Sequence, residues 1–202
     1  AASREVKPWL HSVRDKMLGI FGSSNVYNSL HVLYGELGAF GTSAIMPLFD
    51  YQDVVRSYNL SLGSYKLGTN HRGVVALIIR EFPMTCKQLI GEFGLENVSS
   101  VVRHCYDSGS YNTEFTVIHF VMPNEFRQGM NLDSANKAYS SIYYEEGDKD
   151  DKYLRQSGFD TFPVMAPRWE IKSEEHYGSG PGDFSLGDVK QLQIQQKRKA
   201  QG

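Results

Sequence analysis

The sequence predicts an α+β fold: N-terminal helices, a β-rich middle with inserted short helices, and a C-terminal helix. Three observations carry this expectation. Apolar residues recur at helical spacing at Val6, Leu10, Val13, Met17 and Ile20, and again at Val26, Leu30, Leu33 and Leu37. Short apolar and aromatic runs bounded by turn residues then take over. Last, the glycine-rich stretch YGSGPG at residues 177–182 opens into a polar helical pattern. Strands and helices do not alternate regularly, so a βαβ series is not expected.

Each element has its own signal. The first helix is expected over residues 6–21. Residues 22–24, Gly-Ser-Ser, break it and offer an N-cap to the second. That helix should stop at Gly38 or Gly41. Residues 44–49 and 54–58 are short apolar runs. Residues 64–67 and 74–82 flank the turn TNHRG at 69–73, which reads as a hairpin with an exposed tip. The run VVALII at 74–79 is too continuous for a one-sided strand, so burial on both faces is expected. Thr85 and Gln88 form a capping-box pair for a third helix with Leu89, Ile90 and Phe93 on its apolar face and Gly94 as its stop. Residues 97–100 should cap a fourth short helix running through Tyr106. Residues 107–110 are loop chemistry.

Residues 115–122 read as a strand ended by Pro123, and residues 139–145 as a strand with a polar face, closed by Gly147 and Asp148. Residues 148–152 are a solvated tip. A late strand is expected over 162–171, at an edge or irregular because of Pro163 and Pro167. The last helix should start near Leu186, with Ser185 and Asp188 as its capping pair.

Composition narrows the function classes. A chain of 202 residues makes one large domain or two small ones and needs no disulfide staples. Cys86 and Cys105 match no metal spacing and read as ordinary buried thiols, which fits a reducing compartment. The net charge of -2 provides no global basic field for nucleic acid. No apolar run approaches the roughly 20 residues of a membrane span, and no signal peptide opens the chain. Ala1 is not a methionine, and Gly202 falls within a continuing helical pattern. The chain is therefore expected to be a piece of a longer protein.

Chemical motifs are scarce. The glycines of 177–182 lack the following Gly-Lys-Ser or Gly-Lys-Thr of a phosphate loop, and Pro181 removes one amide donor. Gly178, Gly180, Pro181 and Gly182 read instead as a structural hinge that turns an irregular domain into a helix. Six histidines are scattered without zinc-like spacing, so no metal and no cofactor is expected. There is no Gly-x-Ser-x-Gly elbow. Ser, His and Asp occur as in almost any chain, which neither makes nor denies a triad, and no catalytic residue is assigned.

Lys190, Lys197, Arg198 and Lys199 give the last helix a positive tally, with no acid after Asp188. They suit either the negative end of a helix dipole or contact with DNA phosphate. Arg168 beside Trp169 suits either a strand-end core position or a subunit interface.

Four blocks, taken in order, resemble the portal (head-to-tail connector) proteins of short-tailed bacteriophages. They are SNVYNSLHVLY at 24–34 with FGTSA at 40–44, then REFPMTCKQLIGEFG at 80–94, then FDTFPVMAPRW at 159–169. The fourth is YGSGPG at 177–182, followed by Leu186, Asp188, Lys190 and Leu192. The resemblance implies a subunit of a closed ring, usually of twelve copies, at one vertex of the capsid. DNA passes through such a ring on packaging, driven by a separate terminase motor, and again on ejection. Capsid and scaffolding proteins and tail adaptors are the other implied partners. The implied location is the virion, after assembly in the host cytoplasm. Residues 1–185 would be a wing-like α+β domain and residues 186–202 the start of a stem helix. Clip, tunnel loop and crown would lie largely elsewhere. The family offers no catalytic residues to carry over.

Two other classes stay open on the sequence. A different head-tail adaptor or binding module would be a partner-dependent monomer. An unrecognised enzyme would need a concave pocket with convergent ionisable groups.

Overall fold

A computed structural model describes residues 6–128, 131, 133–147, 152–172 and 175–201. The expected α+β fold is present, and the chain divides into two compact units. The first comprises Ala1–Leu62 with Pro163–Gly202, and the second Gly63–Phe162.

The first unit opens with α1 (Val6–Ser23) and α2 (Val26–Phe40). A hairpin follows, of β1 (Ala44–Asp50) and β2 (Val54–Leu60), paired antiparallel from Ala44↔Leu60 to Asp50↔Val54. The apolar core of this unit is small: Leu33, Ala44, Ile45, Met46, Leu60 and Val164 are buried. Side-chain amides supplement it. Asn25 brackets the backbone of Ser57, accepting from its N–H and donating to its carbonyl, both at 2.8 Å. Ser29 Oγ donates to the same carbonyl, and Asn59 Nδ2 donates to Ser29 O. At Ser57, Asn25 and Ser29 thus supply bonds that a neighbouring strand would otherwise make. No residue of α1 is buried, although its spacing marks an apolar stripe. The hairpin tip is tight. Asp50 Oδ1 accepts from the N–H groups of Gln52 and Asp53, and these bonds hold its carboxyl below the usual carboxylate range. Val54 takes φ 66, a left-handed conformation that is an outlier for a β-branched residue.

The second unit is a five-stranded antiparallel sheet in sequential order: β3 (Tyr65–Thr69), β4 (Val75–Thr85), β5 (Glu114–Pro123), β6 (Tyr139–Glu145) and β7 (Tyr153–Phe159). Between β4 and β5 come α3 (Cys86–Phe93) and α4 (Ser100–Asp107). Both begin on side-chain caps. Thr85 and Gln88 form the full capping box, and Ser99 Oγ accepts from Val102 N. The Ser99 hydroxyl also donates to Glu145 Oε1 at 2.8 Å, which joins α4 to β6. Cys86, Leu89, Phe93, Val98, Val102, Val117 and Leu154 form the buried cluster between these helices and the sheet. Burial raises the Cys86 thiol pKa, as expected of an inert core cysteine.

Several boundaries differ from the sequence expectations. Residues 74–79 are not buried on both faces: Ala76 and Ile78 are buried, while Val75, Leu77 and Ile79 are half-buried. Helices α3 and α4 cover the sheet on one side, so alternation survives within an apolar run. Residues 162–171 form no continuous strand. They make isolated antiparallel bridges, Ile45↔Met165 and Thr42↔Arg168, because Pro163 and Pro167 cannot donate to a ladder. The strand β7 has no counterpart among the expected elements. The expected tip at 148–152 lies, apart from Lys152, outside the described residues. The last helix, α5, spans Pro181–Gln201 and so begins before Leu186.

Candidate functional site

The early start of α5 follows from its first residues. Pro181 stands at the first helical position, where its missing N–H is no loss and its φ is already helical. Asp183 then reaches back, and its Oδ2 accepts from Gly180 N at 2.8 Å. Its backbone N–H returns a bond to Gly180 O at 3.0 Å. An acid in the first turn also complements the positive end of the helix dipole. Ser185 does not cap the helix: its hydroxyl donates to Gly182 O one turn back. The expected Ser185 and Asp188 pair is therefore replaced by Pro181 and Asp183.

Gly178, Gly180 and Gly182 lie against the C-terminal end of α2, within the first unit. That end is closed by Gly41 at φ 69, whose N–H donates to Leu37 O. Gly41 O accepts from Trp169 N at 2.8 Å. Thr42 Oγ1 accepts from Gly178 N at 2.7 Å, across 136 residues of sequence. Ser179 N donates to Glu170 O, Ser43 N to Pro167 O, and Ile45 and Met165 exchange both backbone bonds. Three passes of chain are thus stitched together by main-chain bonds: the end of α2, residues 165–170 and residues 178–182.

The contact is backbone against backbone. A Cβ on Gly41 would stand 2.5 Å from Gly178 O and would also overlap Gly180 N. One on Gly178 would stand 2.6 Å from Gly41 O, and one on Gly180 2.6 Å from Gly41 N. On Gly182 it would overlap Ala39 O. Among these four glycines only Gly41 has positive φ. The other three are required by close approach rather than by turn geometry. Because both surfaces are main chain, neither can yield by changing rotamer. We call this arrangement the glycine clasp.

The other singled-out residues are placed as follows. Arg168 is half-buried beside the clasp, its backbone bridged to Thr42 and its Nη1 3.5 Å from His176 O. Trp169 is anchored through its backbone and is 57% exposed. Lys190, Lys197, Arg198 and Lys199 are all exposed on α5. Lys190 and Lys197 are two turns apart and share a face. Arg198 and Lys199 point about 100° and 200° away from Lys197, given 3.6 residues per turn. The four therefore do not gather into one patch on a single helix.

Sequence reasoning marks Gly41 as a helix stop but not as half of the clasp, and it gives Thr42 no role. No local pattern reveals a partner this distant. Among the described residues, no group of three His, Cys, Asp or Glu side chains could hold a metal ion. Two shallow concavities of the second unit measure about 190 and 290 Å³, below the size usual for small-molecule sites. No helix of the described residues is long and apolar enough to cross a membrane.

Comparison with known proteins gives these features a context. The model of the bacteriophage head to tail connecting protein family matches residues 1–202. A portal protein of Salmonella phage epsilon15 is 48% identical over 197 residues, covering 97% of this chain and 35% of that protein. A probable portal protein of Bordetella phage BPP-1 is 40% identical over 199 residues, covering 98% of this chain and 36% of that protein. The chain thus spans about a third of the length of these relatives. With its whole length matched, the chain belongs to the bacteriophage head to tail connecting protein family.

Proposed function

We propose that this chain is part of a portal subunit, one of about twelve copies that close into a ring at the capsid vertex. The observation that carries the reading is the family match over the whole chain, with two portal relatives aligned over 97% and 98% of it. In this reading residues 1–185 belong to the wing and residues 186–202 begin the stem. DNA passes through the channel. Capsid and scaffolding proteins, the terminase motor and tail adaptors bind the ring, which assembles in the host cytoplasm and ends in the virion.

A ring closes only if every head-to-tail contact repeats at the same rotation. The direction in which α5 leaves the clasp is then a quantity that every subunit must reproduce. The clasp is suited to fix it, since main-chain surfaces in contact have no rotamers to vary. Gly178, Gly180, Pro181 and Gly182 serve as a rigid elbow in this account. The 57% exposed Trp169 and its neighbour Arg168 offer one side of a subunit contact. Lys190 and Lys197 on one face of α5, with Arg198 and Lys199 beyond, offer phosphate contacts.

The protein is not an enzyme in this account, and the motor partner supplies ATP hydrolysis. Electron microscopy of the full-length parent tests the reading. Closed rings with an open axial hole are expected. A parent that stays monomeric across micromolar concentrations contradicts it. Reproducible ATP or nucleic-acid hydrolysis, lost on changing one residue of this chain, contradicts the assignment as a non-enzyme.

A further inference from the structure

One residue from each strand of the second unit forms a row across the sheet. Tyr65 pairs with Arg80, Arg80 with His119, His119 with Tyr143, and Tyr143 with Arg155. Directly paired residues project to the same face. His119, on the central strand, is completely buried. Arg80 Nε donates to its Nδ1 at 2.9 Å. An arginine can only donate, so Nδ1 carries no proton and Nε2–H donates to Ser141 Oγ, also at 2.9 Å. The imidazole stacks on Tyr143 with centroids 3.7 Å apart and planes 6° apart. Arg80 Nη2 closes the circuit by donating to the Tyr143 hydroxyl at 3.3 Å.

We propose that this row is an acid-sensitive latch that holds β4 to β5 and β6 only while His119 is neutral. A proton on Nδ1 removes the acceptor of the Arg80 bond and sets two cations against each other inside the sheet. Arg80 on β4 and Tyr143 on β6 are the ionisable groups that touch the ring. Tyr65 on β3 lies beyond Arg80. Arg155 on β7 adds a second cation to the row and is paired with Glu92 of α3. Glu145, on the same face of β6, accepts from Ser99 of α4.

The direction with pH follows from linkage. In the folded chain His119 titrates at about 3, lowered first by burial and then by the charge of Arg80. Exposed in the opened sheet, it titrates near 6.5. Between these values the open form holds one more proton than the closed form. The opening equilibrium therefore rises about tenfold for each pH unit below 6.5 and levels off below about 3. The other five histidines, His11, His31, His71, His104 and His176, are exposed and lie outside this row.

Hydrogen exchange on the whole chain at pH 7.5 and pH 5.0, corrected for intrinsic rates, tests the latch. Opening of β4, β5 and β6 is expected to rise about 30-fold between pH 7.5 and 5.0. His119→Gln keeps an acceptor and a donor but cannot titrate, so its opening is expected to stay flat over that range. An equal pH response in wild type and His119→Gln overturns the proposal. So does an imidazole nitrogen resonance showing His119 protonated above pH 6 in the folded wild type. That resonance needs no variant and decides the matter even if His119→Gln fails to fold.

Discussion

The two units are held together by different chemistry. The second is a side-chain structure: its sheet and two helices meet through seven buried side chains, and each helix starts on a hydroxyl cap. The clasp of the first unit is a main-chain structure, with glycine packed on helix-terminal backbone. Side-chain cores tolerate change by repacking, and lose about 2–5 kcal/mol for a large truncation. Backbone contacts have no such freedom. The difference locates where a small addition should do more harm than a large deletion.

Gly41→Val is the sharpest test of that contrast. It combines positive φ with overlap against Gly178 and Gly180. The expected loss exceeds about 3 kcal/mol, above that of ordinary overpacking. It should appear in chemical denaturation of the whole chain, with exchange protection lost in α2 and α5 and retained in β4–β6. Leu89→Ala is the matched change in the other unit. Leu89 is fully buried, so about 2–5 kcal/mol is expected, with protection lost in α3 and β5 instead. If both variants lower protection in the same elements, the two units do not open independently and the contrast fails.

What the sequence reveals follows the same division. Helices α1 to α4 are readable because periodicity and caps are local: Thr85 with Gln88, and Gly94 as the stop, are found as expected, whereas α2 follows Asn25 with no side-chain cap in place of the one expected from residues 22–24. The hairpin of β3 and β4 is marked by its turn, where Asn70 N donates to Val74 O and Gly73 N to Asn70 O. The strand β7 is hidden because Gly158 and the polar residues Arg155, Gln156 and Ser157 dilute its pattern, leaving Leu154 as its buried residue. The start of α5 misleads because glycine at 180 and 182 reads as loop, whereas here it answers to Gly41 and Ala39. The clasp is half legible. Its glycines stand out, but their partner does not.

Smaller changes refine the picture. Thr85→Ala removes one half of the capping box and should cost about 1 kcal/mol, read from the urea midpoint. Lys137→Ala removes a 2.9 Å pair with Asp160, whose side chain is 73% exposed. Screening by solvent limits the expected effect to about 0.5 kcal/mol or less, and salt should reduce it further. A large effect there would mean that surface pairing contributes more to the second unit than its buried cluster suggests.

The central claim is that the glycine clasp sets the direction of α5 so that subunits can close into a ring. It is tested most directly by imaging the full-length parent carrying Gly180→Val. Its added Cβ would stand 2.6 Å from Gly41 N and 2.9 Å from Leu37 O. The account expects closed rings from the wild type. The variant should give open or absent rings, while exchange protection in β4–β6 shows that the second unit is intact. Normal closed rings from Gly180→Val would contradict it.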